Sequence, residues 1–232
     1  MAQSELKITH VVFDVDGLIL DTERVYTECL EEICGESGHQ YTWEIKARQM
    51  GMKEHESAKL CIDELNLPLT VEEYLNKLRT KLAQKLPSAQ VLPGAEKLIR
   101  HLHSHNIPIA VATGADNWGF EKRVSGHKEL FSLFSHSVLS SSDPEVKYGK
   151  PAPDCFLVCA ARFKDTPDPQ KVLVFEDAPN GAEAGLAAGM RVVWVPDPRA
   201  DRSKLGGKVD LVLESLELFK PECFGLPPYP NS

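Results

Sequence analysis

The apolar positions of this chain gather into short, nearly unbroken runs at 8–13 (Ile-Thr-His-Val-Val-Phe), 107–112 (Ile-Pro-Ile-Ala-Val-Ala), 136–139, 171–175 (Lys-Val-Leu-Val-Phe), 191–195 (Arg-Val-Val-Trp-Val) and 209–213. Several lack the polar alternation of a strand with one wet face, and so predict strands buried on both faces of a parallel sheet. Between the later runs the period becomes helical. Pro93 to His105 carries Leu98 and Leu102 on one face, with Asn106 as a stop, and Asp154 to Phe163 follows a proline-rich start. Pro179 to Ala188 ends at Gly189, which suits the position after a helix. Strand and helix in alternation predict an α/β fold: a Rossmann-like, mostly parallel sheet core.

Residues 22–86 break that rhythm, with no strand-like run and apolar residues at helical spacing over about 22–34, 43–50, 53–65 and 70–85. The last helix opens on a capping box, Thr70 at the N-cap and Glu73 three residues on. Gly51 punctuates the second and third. The expected organisation is an α-helical domain, 22–89, inserted into an α/β core made of 1–21 and 90–232. The proline-rich end, 221–232, is expected to run extended along the surface.

Composition narrows the partners. With 232 residues, 42% of them hydrophobic, the chain can bury a core without disulfides or structural metals. A net charge of −8 argues against a nucleic acid polymer, whose phosphates recruit basic surfaces. No apolar run approaches the roughly 18 residues that span a bilayer, so no membrane is expected. Met1 to Thr9 lacks the basic-then-apolar pattern of a secretory signal. The six cysteines have no zinc-type spacing and read as reduced, mostly buried thiols of a cytoplasmic protein, which is expected to be a monomer. Cys155 and Cys159, four apart, share a helix face.

Against that ordinary background Phe13-Asp14-Val15-Asp16-Gly17 stands out, because two carboxylates two residues apart at a strand end fill a core badly. Strand alternation turns 14 and 16 the same way, where they can meet one metal or one phosphorus. Like charges this close call for a bound cation or a raised pKa. Three more segments sit after predicted parallel strands, where open α/β sheets place their ligands. Thr113-Gly114 offers a hydroxyl and an unobstructed N–H to a phosphoryl oxygen. Lys150, in Gly149-Lys150-Pro151, offers a point charge to an anion. Glu176-Asp177 adds carboxylates that, with those of the first strand, suit Mg²⁺. Each segment alone has an ordinary reading as a turn, a solvated Lys or a helix start. Their joint occurrence in strand-end positions does not.

These four segments resemble the four motifs of the haloacid dehalogenase-like hydrolases, and the helical insertion between the first and second resembles that family's first type of cap domain. The resemblance covers nearly the whole chain. It implies an enzyme, a Mg²⁺-dependent phosphoric monoester hydrolase in which Asp14 attacks phosphorus to form an aspartyl-phosphate. Asp16 would protonate the leaving oxygen and then act as base on water. Thr113, Lys150 and the Gly114 N–H would hold phosphoryl oxygens. Asp14, the Asp16 backbone carbonyl and Asp177 would hold the metal, with Glu176 as a further ligand or a support behind it. The segments His127 to His136, Asp143 to Val146, Val174 to Gly181 and Phe224 to Pro227 point within the family toward a small phosphorylated metabolite, a nucleoside 5′-monophosphate such as pseudouridine 5′-phosphate. The motifs leave open a sugar phosphomutase, or a sugar or polyol phosphatase. Selectivity for the leaving group is expected around Glu23, Tyr26, Gly51, Met52, Lys53 and the 114–117 loop with Asn117. His101, His103 and His105 imitate a metal motif, but on a helix a spacing of two turns His103 away from the others by about 200°.

Overall fold

The computed structural model describes residues 7–49, 52, 54–203, 205 and 207–230. The strands are β1 (His10–Phe13), β2 (Ile109–Thr113), β3 (Ser137–Leu139), β4 (Val172–Glu176), β5 (Arg191–Trp194) and β6 (Leu211–Val212). All pairings are parallel, in the order β3-β2-β1-β4-β5-β6. In register, Val12 faces Ala110 on one side and Val174 on the other. After β1 the chain builds one half of the sheet and then returns to β1's other side, so the C-terminal ends of β2, β1 and β4 form the crevice where such sheets bind ligands. Thr113 and Glu176 are the last residues of their strands, not the first of the loops beyond.

The core helices are α5 (Ala95–Ser104), α6 (Asn117–Val124), α7 (Lys128–Phe131), α8 (Asp154–Ala161) and α9 (Pro179–Ala187), numbered after four helices of the inserted unit. On one sheet face Val12, Ala110, Ala112, Val174 and Val192 pack with Phe156 and Cys159 of α8 and Ala182 and Ala184 of α9. The alternate strand positions meet aromatic rings: Phe13 stacks on Phe175 at 5.0 Å between centroids, and Phe219 sets its edge on Phe175 at 4.8 Å. Both faces are dry, which accounts for the continuous apolar runs.

Residues 22–89 form a second compact unit, built of α1 (Thr22–Gly35), α2 (Trp43–Gln49), α3 (Glu54–Leu65) and α4 (Val71–Lys85). Val25, Cys29 and Ile33 of α1 and Tyr74, Leu78 and Leu82 of α4 are its buried rows, each at a spacing of four. Thr70 and Glu73 form the capping box at the start of α4. Outside the buried rows, Lys81 and Lys85 reach Glu32 at 2.9 and 2.6 Å, and this pair of ammonium groups holds the Glu32 carboxyl down at about 2. No helix among the described residues is long and apolar enough to cross a membrane.

The proline-rich end is not a loose surface strand. Pro221–Phe224 form a 3-10 turn, and the Phe224 carbonyl accepts from Ile8 N–H at 3.1 Å. Leu226 is buried, the Pro227 carbonyl accepts from His101 Nε2 at 2.8 Å, and the Tyr229 ring lies 4.6 Å from that of His101. Lys97 Nζ sits 4.4 Å over the Tyr229 ring. Prolines alone suggested an exposed tail, but Leu226 and Tyr229 supply apolar surface that is worth burying. The histidine triplet ends up as packing: the His101 and His105 rings lie 4.3 Å apart at a tilt of 51°, while His103 bonds the Leu133 carbonyl at 3.2 Å.

Candidate active site

One residue beyond β1 the chain still runs alongside β4, because Asp14 N–H donates to the Phe175 carbonyl at 3.0 Å. That contact sets the Asp14 carboxylate, 5% exposed, at the floor of the crevice. Lys150 crosses to it from the loop before α8. Its Nζ donates to Asp14 Oδ1 at 2.6 Å, to Glu176 Oε1 at 2.6 Å and to the Ala112 carbonyl at 3.0 Å. A single ammonium thus ties together the ends of β1, β4 and β2. Burial pushes the Asp14 carboxyl up to about 7, and Glu176 and Asp16 add to the shift against the pull of Lys150. Burial works against the Lys150 ammonium, but Asp14 and Glu176 outweigh it and hold its pKa well above the ordinary value.

Glu176 is satisfied on every side. Oε1 takes Lys150, and Oε2 accepts from the N–H groups of Asp177 at 3.0 Å and Ala178 at 3.1 Å. Its carboxylate also fills the space that a side chain at Gly181 of α9 would need. Asp177, half-buried, is placed from behind, its carbonyl accepting from Trp194 Nε1 at 2.8 Å. One carboxylate oxygen each from Asp14, Glu176 and Asp177 lie within 4.8 Å of one another. Three hard oxygen donors so close, with one carboxyl's pKa raised by burial and its neighbours, fit a divalent cation such as Mg²⁺.

Asp16 points to a different set of partners. Its Oδ1 accepts from Arg123 Nε at 2.6 Å, and its Oδ2 lies 3.4 Å from Thr113 Oγ1. Arg123, near the end of α6, had no counterpart among the residues expected from sequence. Neither did α6 itself, since only a 114–117 loop was expected there. Asp116 is instead the N-cap, its Oδ1 accepting from Gly119 N–H at 2.6 Å. The missing side chain at 119 leaves room for the guanidinium: a Cβ there would stand 2.7 Å from Arg123 Nη1. Asp116 itself, a residue type favoured at N-caps, was the available signal for that helix start.

Gly114 and Asn117 lie on the exposed rim. Ser141 Oγ donates to the Gly114 carbonyl at 2.7 Å, and Asn117 N–H donates to Ser142 Oγ at 3.0 Å, so the loops after β2 and β3 are stitched together. Glu23 belongs to the helical unit, where it pairs with Lys46 at 3.1 Å. Lys53 and Gly51 lie outside the described residues.

A family model described as haloacid dehalogenase-like hydrolase matches residues 8–189. The chain is 49% identical to (DL)-glycerol-3-phosphatase 2 of Arabidopsis thaliana, over 97% of this chain and 94% of that one. It is 48% identical to a protein of Drosophila melanogaster named "Probable pseudouridine-5′-phosphatase", over 96% of each. A crystal structure of a HAD family hydrolase from Deinococcus radiodurans R1 superposes with a TM-score of 0.80 at 21% identity, covering 96% of this chain and 99% of the other, a likeness of fold. With a family model spanning most of its length and relatives near half identity, the chain belongs to the haloacid dehalogenase-like hydrolases.

Proposed function

We propose that this enzyme, a phosphoric monoester hydrolase, cleaves a small phosphomonoester by way of a phosphorylated Asp14. The observation that supports it best is the junction of Asp14, Lys150 and Glu176 at three strand ends, with Asp16 and Thr113 beside it. An isolated buried carboxylate between a lysine and a second acid is costly for folding alone. In the first half-reaction an Asp14 oxygen attacks phosphorus in line with the ester oxygen. The phosphorus–oxygen ester bond breaks, and Asp16 gives a proton to the departing alkoxide. In the second, Asp16 takes a proton from a water that attacks the same phosphorus, releasing inorganic phosphate and restoring the Asp14 carboxylate. Lys150, Thr113 and the Gly114 N–H steady the phosphoryl oxygens. Asp14, Asp177 and the Asp16 backbone carbonyl would hold Mg²⁺, and Glu176, already braced by Lys150 and two amides, supports that set from behind. When bound, the cation supplies positive charge against the phosphoryl oxygens.

For the leaving group, the segments resembling nucleotide phosphatases favour a nucleoside 5′-monophosphate such as pseudouridine 5′-phosphate. The 49% identity to a glycerol-3-phosphatase supports a second reading, a polyol phosphate. Both are primary alkyl esters with strongly basic leaving oxygens, so both need Asp16. The test is phosphate release from a panel of nucleoside, sugar and polyol phosphates, with and without Mg²⁺ and without any bisphosphate activator. Isomerised sugar phosphate in place of free phosphate would mean a mutase. No release from any ester by wild-type chain, or full activity in Asp14→Asn, would overturn the phosphatase reading.

A further inference from the structure

We infer that Arg123 is a positioning residue that fixes the Asp16 carboxylate and assigns its transferable proton to one oxygen, Oδ2. This rests on the phosphatase reading of Asp16. The Arg123 side chain is 7% exposed, and its Nε donates to Asp16 Oδ1 at 2.6 Å. The guanidinium carries hydrogen on every nitrogen at any pH at which the protein is folded, and it has no acceptor site. Oδ1 accepts that bond, and protonating it would weaken a charge-assisted contact, so the proton given to the leaving group, and later taken from water, is favoured on Oδ2. That oxygen accepts from Thr113 Oγ1 at 3.4 Å, and a hydroxyl can turn to accept once Oδ2 is protonated.

The surroundings are arranged to hold the arginine still. Asp116 caps the helix that carries it, and the bare Cα of Gly119 leaves its Nη1 the space that any larger residue would take. A side chain rich in rotamers is thus ordered before substrate arrives, and a catalytic carboxylate held within a small angular range is worth rate. Asp16 itself sits past the end of β1, with about a quarter of its side chain exposed, so its backbone does not fix its rotamer.

The experiment compares Arg123→Met and Arg123→Lys with wild type on two kinds of ester. One is alkyl: pseudouridine 5′-phosphate or glycerol 3-phosphate, whichever the wild type turns over faster. The other is p-nitrophenyl phosphate, whose leaving group needs no proton. Rapid-quench measurement isolates the phosphorylation step. Arg123→Met is expected to slow phosphorylation by the alkyl ester by roughly 10–100-fold, part of the range a positioned acid supplies, and by p-nitrophenyl phosphate by less than about threefold. Arg123→Lys, which keeps a donor, recovers some of the loss. In an Asp16→Asn background the Arg123→Met change adds nothing, as expected of two residues acting as one unit. Equal slowing with both esters, or additive losses in the double variant, would show Arg123 merely anchoring its helix and overturn the proposal. If Arg123→Met does not fold, Arg123→Lys decides by the same ratio of the two esters. A wild type that releases phosphate from neither ester would instead overturn the phosphatase reading, and this inference with it.

Discussion

No side chain has room at Gly181: a Cβ built there would stand 1.8 Å from Oε1 of Glu176 and 2.0 Å from its carboxyl carbon. The glycine is needed for what it leaves open, since Glu176 uses that space to reach Lys150. In a helix, Gly→Ala ordinarily stabilises by up to about 1 kcal/mol. Here the methyl would push the carboxylate off Lys150 and so shift Lys150 against Asp14. Gly181→Ala is expected to lower kcat by about 10²-fold, the scale of a displacement near 1 Å in a reacting group. Adding Glu176→Asp, which withdraws the carboxylate by one methylene, should return part of the activity. Unchanged kcat in Gly181→Ala would mean that Glu176 is free to move without consequence.

The position of Asp14 makes stability depend on pH in a definite direction. Its carboxyl releases its proton at about 7 in the folded chain, against 3.8 as the ordinary value. Below 3.8 both states are protonated there, and the group confers no dependence. As pH rises from 3.8 to about 7 the unfolded chain ionises first, so folded stability falls through that window. Measured in EDTA by urea unfolding, Asp14→Asn should therefore gain on wild type between pH 4.5 and 7, with the difference level above about pH 8. Mg²⁺ should raise the stability of wild type at pH 8 more than that of Asp14→Asn, which keeps Asp177 but lacks one of the carboxylates that would hold the cation. A difference that stays flat with pH would show Lys150 neutralising Asp14 completely.

How much of this was legible in the sequence follows from what each feature depends on. The central strands β1, β2, β4 and β5 come through as apolar runs because both of their faces are dry, and the helical insertion comes through as a change of period. Asp14, Asp16, Thr113, Glu176 and Asp177 stand out because each is polar at the end of an apolar run, whereas Lys150 lies in the loop before α8, well past β3, and its place at the site was legible only from its company with the other segments. Arg123 has no such signal. It is one arginine among charges in Glu121-Lys122-Arg123, its room depends on the bare Cα of Gly119, and its partner Asp16 lies more than a hundred residues away in sequence. The end of the chain misleads in the opposite sense, since proline spacing says nothing about Tyr229 meeting His101, a contact across more than a hundred residues. Local chemistry is readable along the chain, whereas a partner supplied by tertiary packing is not.

That packed end carries a stability prediction. Leu226 is 3% exposed, three residues before Tyr229, whose ring meets His101. Leu226→Ala should cost about 2–5 kcal/mol, the range for deleting a buried leucine side chain. Urea unfolding would show it as a lower midpoint at unchanged slope. A cost under about 0.5 kcal/mol, typical of surface changes, would mean that the end detaches readily in solution.

The division of labour between Asp14 and Asp16 has a kinetic signature. An alkoxide leaving from phosphorus needs a proton as the bond breaks, whereas a nitrophenolate does not. In Asp16→Ala, phosphorylation of Asp14 by an alkyl ester should slow by roughly 10²–10⁴, the usual contribution of a positioned acid. Phosphorylation by p-nitrophenyl phosphate should slow far less, yet release of phosphate from Asp14 remains slow because the base that prepares water is gone. The expected trace is a burst of nitrophenolate near one per active site, then a slow steady phase. The protein quenched during that phase should carry phosphate on the peptide containing Asp14, read by its added mass and lost on treatment with hydroxylamine. Equal slowing with both esters and no burst would assign Asp16 to holding the loop after β1 rather than to moving a proton.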